Sequence, residues 1–176
     1  MAKWNVQKML QPGMMWDILG EVKKYEIDLV ASQEVRWKGQ EEINKSDYTL
    51  KYSGAGKQGK HGLRFVRMEK LKANIMEFNA INDRLAYLRI KAKPLNISIL
   101  NVYAPTETSE KEEKEKFYER LEDEMEWMPR EDMWLIMGDF NAQIGKEPTI
   151  QRVTGQYTLH KKTNDNGQNY VIWLQT

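Results

Sequence analysis

Asp139 and Asn141 are the residues whose type and spacing say most about chemistry. They close the segment Met133-Trp134-Leu135-Ile136-Met137-Gly138-Asp139-Phe140-Asn141-Ala142, an apolar run that reads as a buried strand broken at a glycine. In an extended chain residues i and i+2 point the same way, so the two side chains can address one ligand from the mouth of a strand. A carboxylate that binds a metal or takes a proton, beside a carboxamide that donates, suits phosphoryl chemistry. Gly-Asp-x-Asn is also good turn composition, and a plain turn stands as the alternative.

Other apolar runs end in the same manner. Ile27–Gln33 leads into Glu34, Leu95–Val102 leads into Tyr103, and the short Lys3-Trp4 start leads into Asn5. Ligand sites of α/β sheets lie at such carboxyl ends, so these positions can converge on one rim. Glu34 has the hard oxygen that Mg²⁺ takes; the plainer reading pairs it with Arg36 at the surface. Asn5 can bond a metal ligand or a phosphate, or simply end a strand. Tyr103 can offer its hydroxyl to a phosphate oxygen, or sit half-buried in a core.

The ordered motifs Trp4-Asn5-Val6, Gln33-Glu34-Val35-Arg36-Trp37, Asn101-Val102-Tyr103-Ala104-Pro105-Thr106 and Gly138-Asp139-Phe140-Asn141-Ala142 resemble the endonuclease/exonuclease/phosphatase superfamily. The spelling is most similar to the endonuclease domains of RTE-type non-LTR retrotransposons. Gln11-Pro12-Gly13 and Asn164-Asp165-Asn166-Gly167 also look like that group, and the resemblance spans about residues 3 to 170. It implies an α/β (α+β) four-layer sandwich, of which residues 1–176 would form a single incomplete domain, a mixed sheet with flanking helices. It further implies a weakly bound Mg²⁺ (or Mn²⁺) at Glu34 with Asn5. Asp139 would orient or deprotonate the attacking water, Asn141 would hold phosphate or metal, and Tyr103 would touch phosphate. DNA is the implied ancestral substrate.

Relatives of this kind supply a further Asp on a late strand and a final Ser-Asp-His-like segment. The sequence reaches Thr176 without either, and its one Ser-Asp pair, Ser46-Asp47, leads into Tyr48 and lies too early. The expectation is therefore a Mg²⁺-dependent endonuclease-like domain, weak or inactive as this stretch alone. Two rivals stand beside it: a catalytically silent remnant that binds nucleic acid or metal, and a phosphoesterase acting on lipid or inositol phosphates. A sandwich half would expose the sheet face meant for its partner, which predicts either low stability or self-association through that face.

Composition bounds these readings. The chain has 176 residues, 40% of them hydrophobic and 30% charged, with a net charge of +1. That suits one globular core and provides no global field to recruit a polyanion. No apolar stretch reaches membrane-span length, no apolar leader opens the chain, and an intracellular location is the default expectation. Zero cysteines exclude disulfides and thiolate zinc. Lys51, Lys57, Lys60, Arg64, Arg67, Lys70 and Lys72 are opposed only by Glu69, so DNA phosphates would meet this segment, while Arg36 and Trp37 read first as a surface charge and packing and otherwise as further nucleic-acid contacts. A solvated edge hairpin explains the same lysines. Residues 107–126 are acidic and would repel a polyanion. His61 and His160 read as surface residues, and the ten methionines as core filler.

The elements that must position these residues follow from periodicity. Met15, Ile18, Leu19 and Val22 predict a helix after Gly13, and Ile27–Gln33 a strand. Residues 38–47 read as a loop. Tyr48–Tyr52, Leu63–Met68, Lys72–Phe78, Leu85–Ile90 and Leu95–Tyr103 read as successive antiparallel strands. A capping box at Ser109 and Glu112 starts a second helix with Phe117, Leu121, Met125 and Met128 as its stripe, and Pro129 ends it. Tyr170–Leu174 fits either a helix or a strand.

Overall fold

The structure, a computed structural model, describes residues 1–5, 14–33, 40–44, 48–54 and 62–175. They divide into two compact units: Met1–Tyr103 with Met128–Gly138, and Ala104–Trp127 with Asp139–Thr176.

The first unit is built of two sheets. Strand β1 (Ala2–Asn5) is followed by helix α1 (Met14–Lys24), which returns the chain to β2 (Leu29–Gln33) parallel to β1. Parallel neighbours need a crossover of this kind, whereas antiparallel ones need only a turn. β3 (Gln40–Asn44), β4 (Tyr48–Gly54) and β5 (Gly62–Met68) complete a mixed sheet of order β1-β2-β5-β4-β3. Central β2 is buried at every residue. The predicted loop at 38–47 contains β3, which pairs Glu41 with Tyr52 and Ile43 with Leu50. An edge strand takes its backbone bonds from one neighbour and can be polar, so Gln-Glu-Glu-Ile-Asn carries little strand pattern.

The predicted strand at Lys72–Phe78 is displaced. Residues Glu69–Asn74 form a 3₁₀ turn, and β6 is Ile75–Ala80. Glu-Lys-Leu-Lys-Ala-Asn has helix-favouring composition and no sustained alternation. This turn takes the chain from one sheet to the other, so β5 and β6 are not paired and the antiparallel series breaks there. β6 continues into β7 (Leu85–Ile90), β8 (Ile97–Tyr103) and, after an insertion, β9 (Met133–Asp139), in the order β6-β7-β8-β9.

The two sheets meet face to face. Leu29 and Ala31 of β2, Leu63 and Phe65 of β5, Leu88 and Ile90 of β7, and Ile99 and Tyr103 of β8 form one buried cluster. The members of each pair sit two residues apart, or four in β8, spacings that send side chains to one face. Burying one such large apolar side chain stabilises by about 1.5–3 kcal/mol. The expectation of an uncovered inner sheet face is thereby corrected for these strands: the partner face is supplied from within residues 1–103. In α1, Leu19 and Val22 are buried, as the stripe predicts.

The second unit holds α2 (Lys111–Trp127), α3 (Pro148–Thr154) and α4 (Asp165–Trp173). Phe117 and Leu121 of α2 are buried as expected. Its first turn is closed by the Glu110 carbonyl, which accepts from the Glu113 and Lys114 amides, and the Ser109 hydroxyl lies 3.4 Å from Thr106 Oγ1. The start is therefore displaced from the predicted Ser109 capping box. Tyr170–Leu174, left open by its pattern, is helical through Trp173. Phe140 packs between helices, with ring centroids 6.5 Å from Phe117, 4.7 Å from Tyr170 and 5.4 Å from Trp173.

Candidate active site

The strand ends of the first unit are tied together. Parallel register sets Asn5 beside Gln33, so β1 and β2 finish level. Gln33 Nε2 donates to Asn101 Oδ1 of β8 at 2.7 Å, in full burial, and so joins the two sheets near their carboxyl ends. Asn101 Nδ2 reaches the Ser32 carbonyl at 3.5 Å. Gln33 Oε1 is buried and, among the described residues, accepts no hydrogen bond. A buried amide oxygen without a donor costs about 1–3 kcal/mol, so it marks an unsatisfied polar position one residue before Glu34. Glu34 itself lies outside the described residues, as do Arg36, Trp37, Lys57 and Lys60.

Tyr103 follows Asn101 on the same face of β8. It is 5% exposed and packs in the core cluster, more deeply than a half-buried strand end. Arg84 sits over its ring with the guanidinium 5.7 Å from the centroid, and Arg84 Nη1 donates to the Tyr103 carbonyl at 3.3 Å.

Gly138 is required by a close approach. Its φ is +151°, and a Cβ there would lie 1.9 Å from the Val102 carbonyl oxygen. No side chain fits where β9 passes β8 at this point.

Asp139 and Asn141 belong to the second unit. The Asn141 amide donates to Asp139 Oδ1 at 3.0 Å, which closes a local turn on the carboxylate. Asn141 has φ +48°, a left-handed conformation that asparagine tolerates better than most residues. Its Nδ2 donates to the Ala104 carbonyl at 2.7 Å, and the Ala104 amide donates to the Asp139 carbonyl at 2.8 Å. These bonds make the motif a turn, with Asp139 Oδ1 accepting from the Asn141 amide and Asn141 Nδ2 donating to Ala104.

Pattern reasoning missed the residues that hold this loop. Asn164 caps α4: its Oδ1 accepts from the Gly167 amide at 2.7 Å and from the Gln143 amide at 2.9 Å. Asn166 Nδ2 donates to the carbonyls of Pro105 and Asn141. Glu147 accepts from the Thr163 amide and hydroxyl, both at 2.8 Å, and these donors, the amide first, hold its carboxyl below the usual glutamate range. Lys114 is buried in α2, where Nζ donates to the Glu107 carbonyl at 2.9 Å and to Asp165 Oδ2 at 2.7 Å. One signal was available, since Asn-Asp-Asn-Gly is a helix N-cap followed by a small residue.

Two facing sheets, with strand ends carrying Asn5, Gln33 and Tyr103 and a Gly-Asp-Phe-Asn turn after β9, define an endonuclease/exonuclease/phosphatase fold. A structure of a protein of that family from Leptotrichia buccalis superimposes with a TM-score of 0.54 at 18% identity, covering 81% of this chain and 66% of that one. The endonuclease domain of TRAS1, a telomere-specific non-LTR retrotransposon, superimposes with a TM-score of 0.64 at 13% identity, covering 98% of this chain and 68% of its own. In sequence the chain is similar to Craniofacial development protein 2 of Bos taurus, 32% identical over 168 residues. That match covers 96% of this chain, which spans 28% of the relative's length. No protein-family model matches the chain. Among the described residues no helix is long and apolar enough to cross a membrane.

Proposed function

We propose that the chain is a nucleic-acid phosphodiesterase-type domain, endonuclease-like, that acts on DNA and holds Mg²⁺ or Mn²⁺ weakly. One observation carries the reading: the Asn5–Gln33 register and the buried 2.7 Å Gln33–Asn101 bond draw the ends of β1, β2 and β8 together, and Glu34 is the next residue in the sequence after Gln33. The similarity in fold to an endonuclease domain supports it.

The residues fit a hard cation. Glu34 and Asn5 offer oxygen donors, and a pair of protein ligands leaves most positions to water, which suits weak Mg²⁺ binding. The unsatisfied Gln33 Oε1 nearby is an acceptor for such a water. When bound, the cation neutralises charge on phosphate oxygens. Asp139 orients or deprotonates the attacking water, Asn141 offers its second N–H to phosphate, and Tyr103 donates its hydroxyl. Lys57, Lys60 and Arg36 contact the DNA backbone, and Trp37 contacts the bases.

No residue of this sequence matches the family's late Asp or its Ser-Asp-His segment. Loss of one well-placed charge-stabilising donor reduces rate by about 10²–10³. The 176-residue chain by itself should therefore nick DNA little or not at all. A second reading, a silent domain that binds nucleic acid or metal, is favoured by Asn141 Nδ2 already bonding Ala104.

Titration with Mn²⁺ tests the site. Weak saturable binding is expected for the wild type and its loss for Glu34→Gln; superimposable curves would remove the metal role. Supercoiled plasmid separates the two readings. DNA and Mn²⁺ binding without nicking supports the silent domain. Robust Mg²⁺-dependent nicking abolished by Asp139→Ala would overturn low activity and make the chain a working nuclease.

A further inference from the structure

Asn166 is 2% exposed, and its side-chain nitrogen is spent on backbone carbonyls. Nδ2 donates to the Pro105 carbonyl at 2.9 Å and to the Asn141 carbonyl at 3.2 Å. Both N–H bonds of one carboxamide thus hold the loop after β8 and the loop after β9. The carboxamide is itself held from behind. The amides of Asp165 and Asn166 donate to the two oxygens of Glu107 at 3.0 and 3.1 Å. Lys114 ties Glu107 and Asp165 to α2. Asn164 adds a longer contact to the Asn141 carbonyl, at 3.4 Å.

The Asn141 carbonyl belongs to the peptide that follows its left-handed Cα. Asparagine adopts that conformation more readily than most residues but at some cost, so its surroundings help to hold it. We propose that Asn166 is a positioning residue: by gripping that peptide it keeps Asn141 left-handed. Only in that conformation do the Asn141 amide meet the Asp139 carboxylate and its side chain meet Ala104. The inference rests on reading Asp139 and Asn141 as the working end of a phosphodiesterase. The acidic Glu107 and cationic Lys114 would then act at one remove, through the α4 N-terminus.

Nuclear magnetic resonance on the ¹⁵N-labelled full chain tests it. The readouts are the three-bond coupling that reports φ at Asn141 and the exchange rates of the Asn141 and Ala104 amides. Asn166→Asp keeps the shape and turns a donor toward two carbonyl oxygens into an acceptor. It should speed exchange at both amides by about tenfold or more and move the Asn141 coupling out of the left-handed range. Leu88 and Ile99 amides should be unchanged. Asn166→Ser, milder, should act in the same direction, and Lys116→Met, exposed on α2, should leave Asn141 alone. A folded Asn166 variant with the Asn141 coupling and protection intact would overturn the proposal. Unfolding of both Asn166 variants would also overturn it, since Asn166 would then support the fold as a whole. In whatever nicking the wild type shows, kcat should fall with KM unchanged. A wild type that neither binds cation nor nicks would sink the phosphodiesterase reading and leave the coupling measurement decisive for this one.

Discussion

The two units of the chain are held by different means. The sandwich of Met1–Tyr103 and Met128–Gly138 rests on apolar layers that meet at period two, Leu29 and Ala31 with Phe65, Leu88 and Ile99 among them. The unit of Ala104–Trp127 and Asp139–Thr176 has an aromatic centre at Phe140, but its loops are fastened by carboxamides and carboxylates bonded to backbone. Apolar layers tolerate substitution that keeps volume, because the force is non-directional. A side chain bonded to a named carbonyl tolerates almost none, because removal leaves the partner unsatisfied. The candidate chemistry at Asp139 and Asn141 is carried by the less tolerant unit.

The largest expected effect tests whether the sandwich depends on any single position. Gly138→Ala would place a Cβ 1.9 Å from the Val102 carbonyl oxygen, at a φ of +151°. Backbone cannot move aside as a flexible side chain could. The loss should exceed about 4 kcal/mol, read from the urea midpoint with Leu88→Met as a volume-conserving control. A loss below about 1.5 kcal/mol, the scale of a tolerated core swap, would show that β9 can shift away from β8.

Beside the Gln33–Asn101 bond, the sandwich has a second directional network among its described residues. Arg89 grips Asp132 by two bonds of 2.7 and 3.0 Å, and the Ser98 hydroxyl donates to the same carboxylate at 2.7 Å while bonding Tyr87 at 2.9 Å. The Asp132 side chain is 0% exposed, against 20% for Arg89. The Arg89 guanidinium first, then Ser98, holds the Asp132 carboxyl below the usual aspartate range. Asp132→Ala should destabilise by about 3 kcal/mol by stranding the arginine. The pH dependence follows from the depressed value. The contribution is whole above the unfolded pKa of about 3.9 and is lost as pH falls through the lower folded one. Asp132→Asn should flatten that acid limb in urea unfolding; an unchanged limb would mean that other carboxylates set it.

How much could be read beforehand divides along the same line. Leu85–Ile90 and the strands ending at Gln33 and Tyr103 were legible because alternation or continuous apolarity announces them. β3 was not, because an edge strand needs no apolar face, and neither was the turn at Glu69–Asn74 that moves the chain between sheets. The Gly-Asp-Phe-Asn motif was legible as residues that could do chemistry. Its supports were not, since Asn141 to Asn166 and Glu107 to Asp165 are bonds across 25 and 58 positions. Periodicity reports on neighbours, and nothing in it reveals which distant amide a carboxylate will accept from. Arg89 and Asp132, 43 positions apart, were invisible for the same reason.

A smaller effect is expected at the α4 cap. Asn164→Ala removes the acceptor of the Gly167 and Gln143 amides. Caps of this kind contribute about 1 kcal/mol. The loss should appear as faster amide exchange at Gly167 and Gln143, with Leu88 unaffected. Equal changes in both units would show that they unfold as one, and the contrast between them would then describe bonding and not stability.

The smallest expected effect is at Glu147, just before α3. Its Oε1 accepts from the Thr163 amide and its Oε2 from the Thr163 hydroxyl, which also accepts from the Gly145 amide at 2.9 Å. These donors favour the ionised carboxyl and lower its pKa, the Thr163 amide most. A depressed folded value means a contribution present above the unfolded glutamate pKa of about 4.3 and lost as pH falls through the folded one. Carboxyl carbon shifts followed from pH 7 downward should show Glu147 titrating below the ordinary glutamate range. Acidification should release the Gly145 and Thr163 amides in step with it. Glu147→Gln keeps an acceptor without the charge, so it should leave those amides ordered at pH 7 and remove their response to acid. If they respond to acid equally in Glu147→Gln, the 145–163 contact is held by the backbone alone, and the directional character assigned to the second unit would not extend beyond Asn141, Asn164 and Asn166.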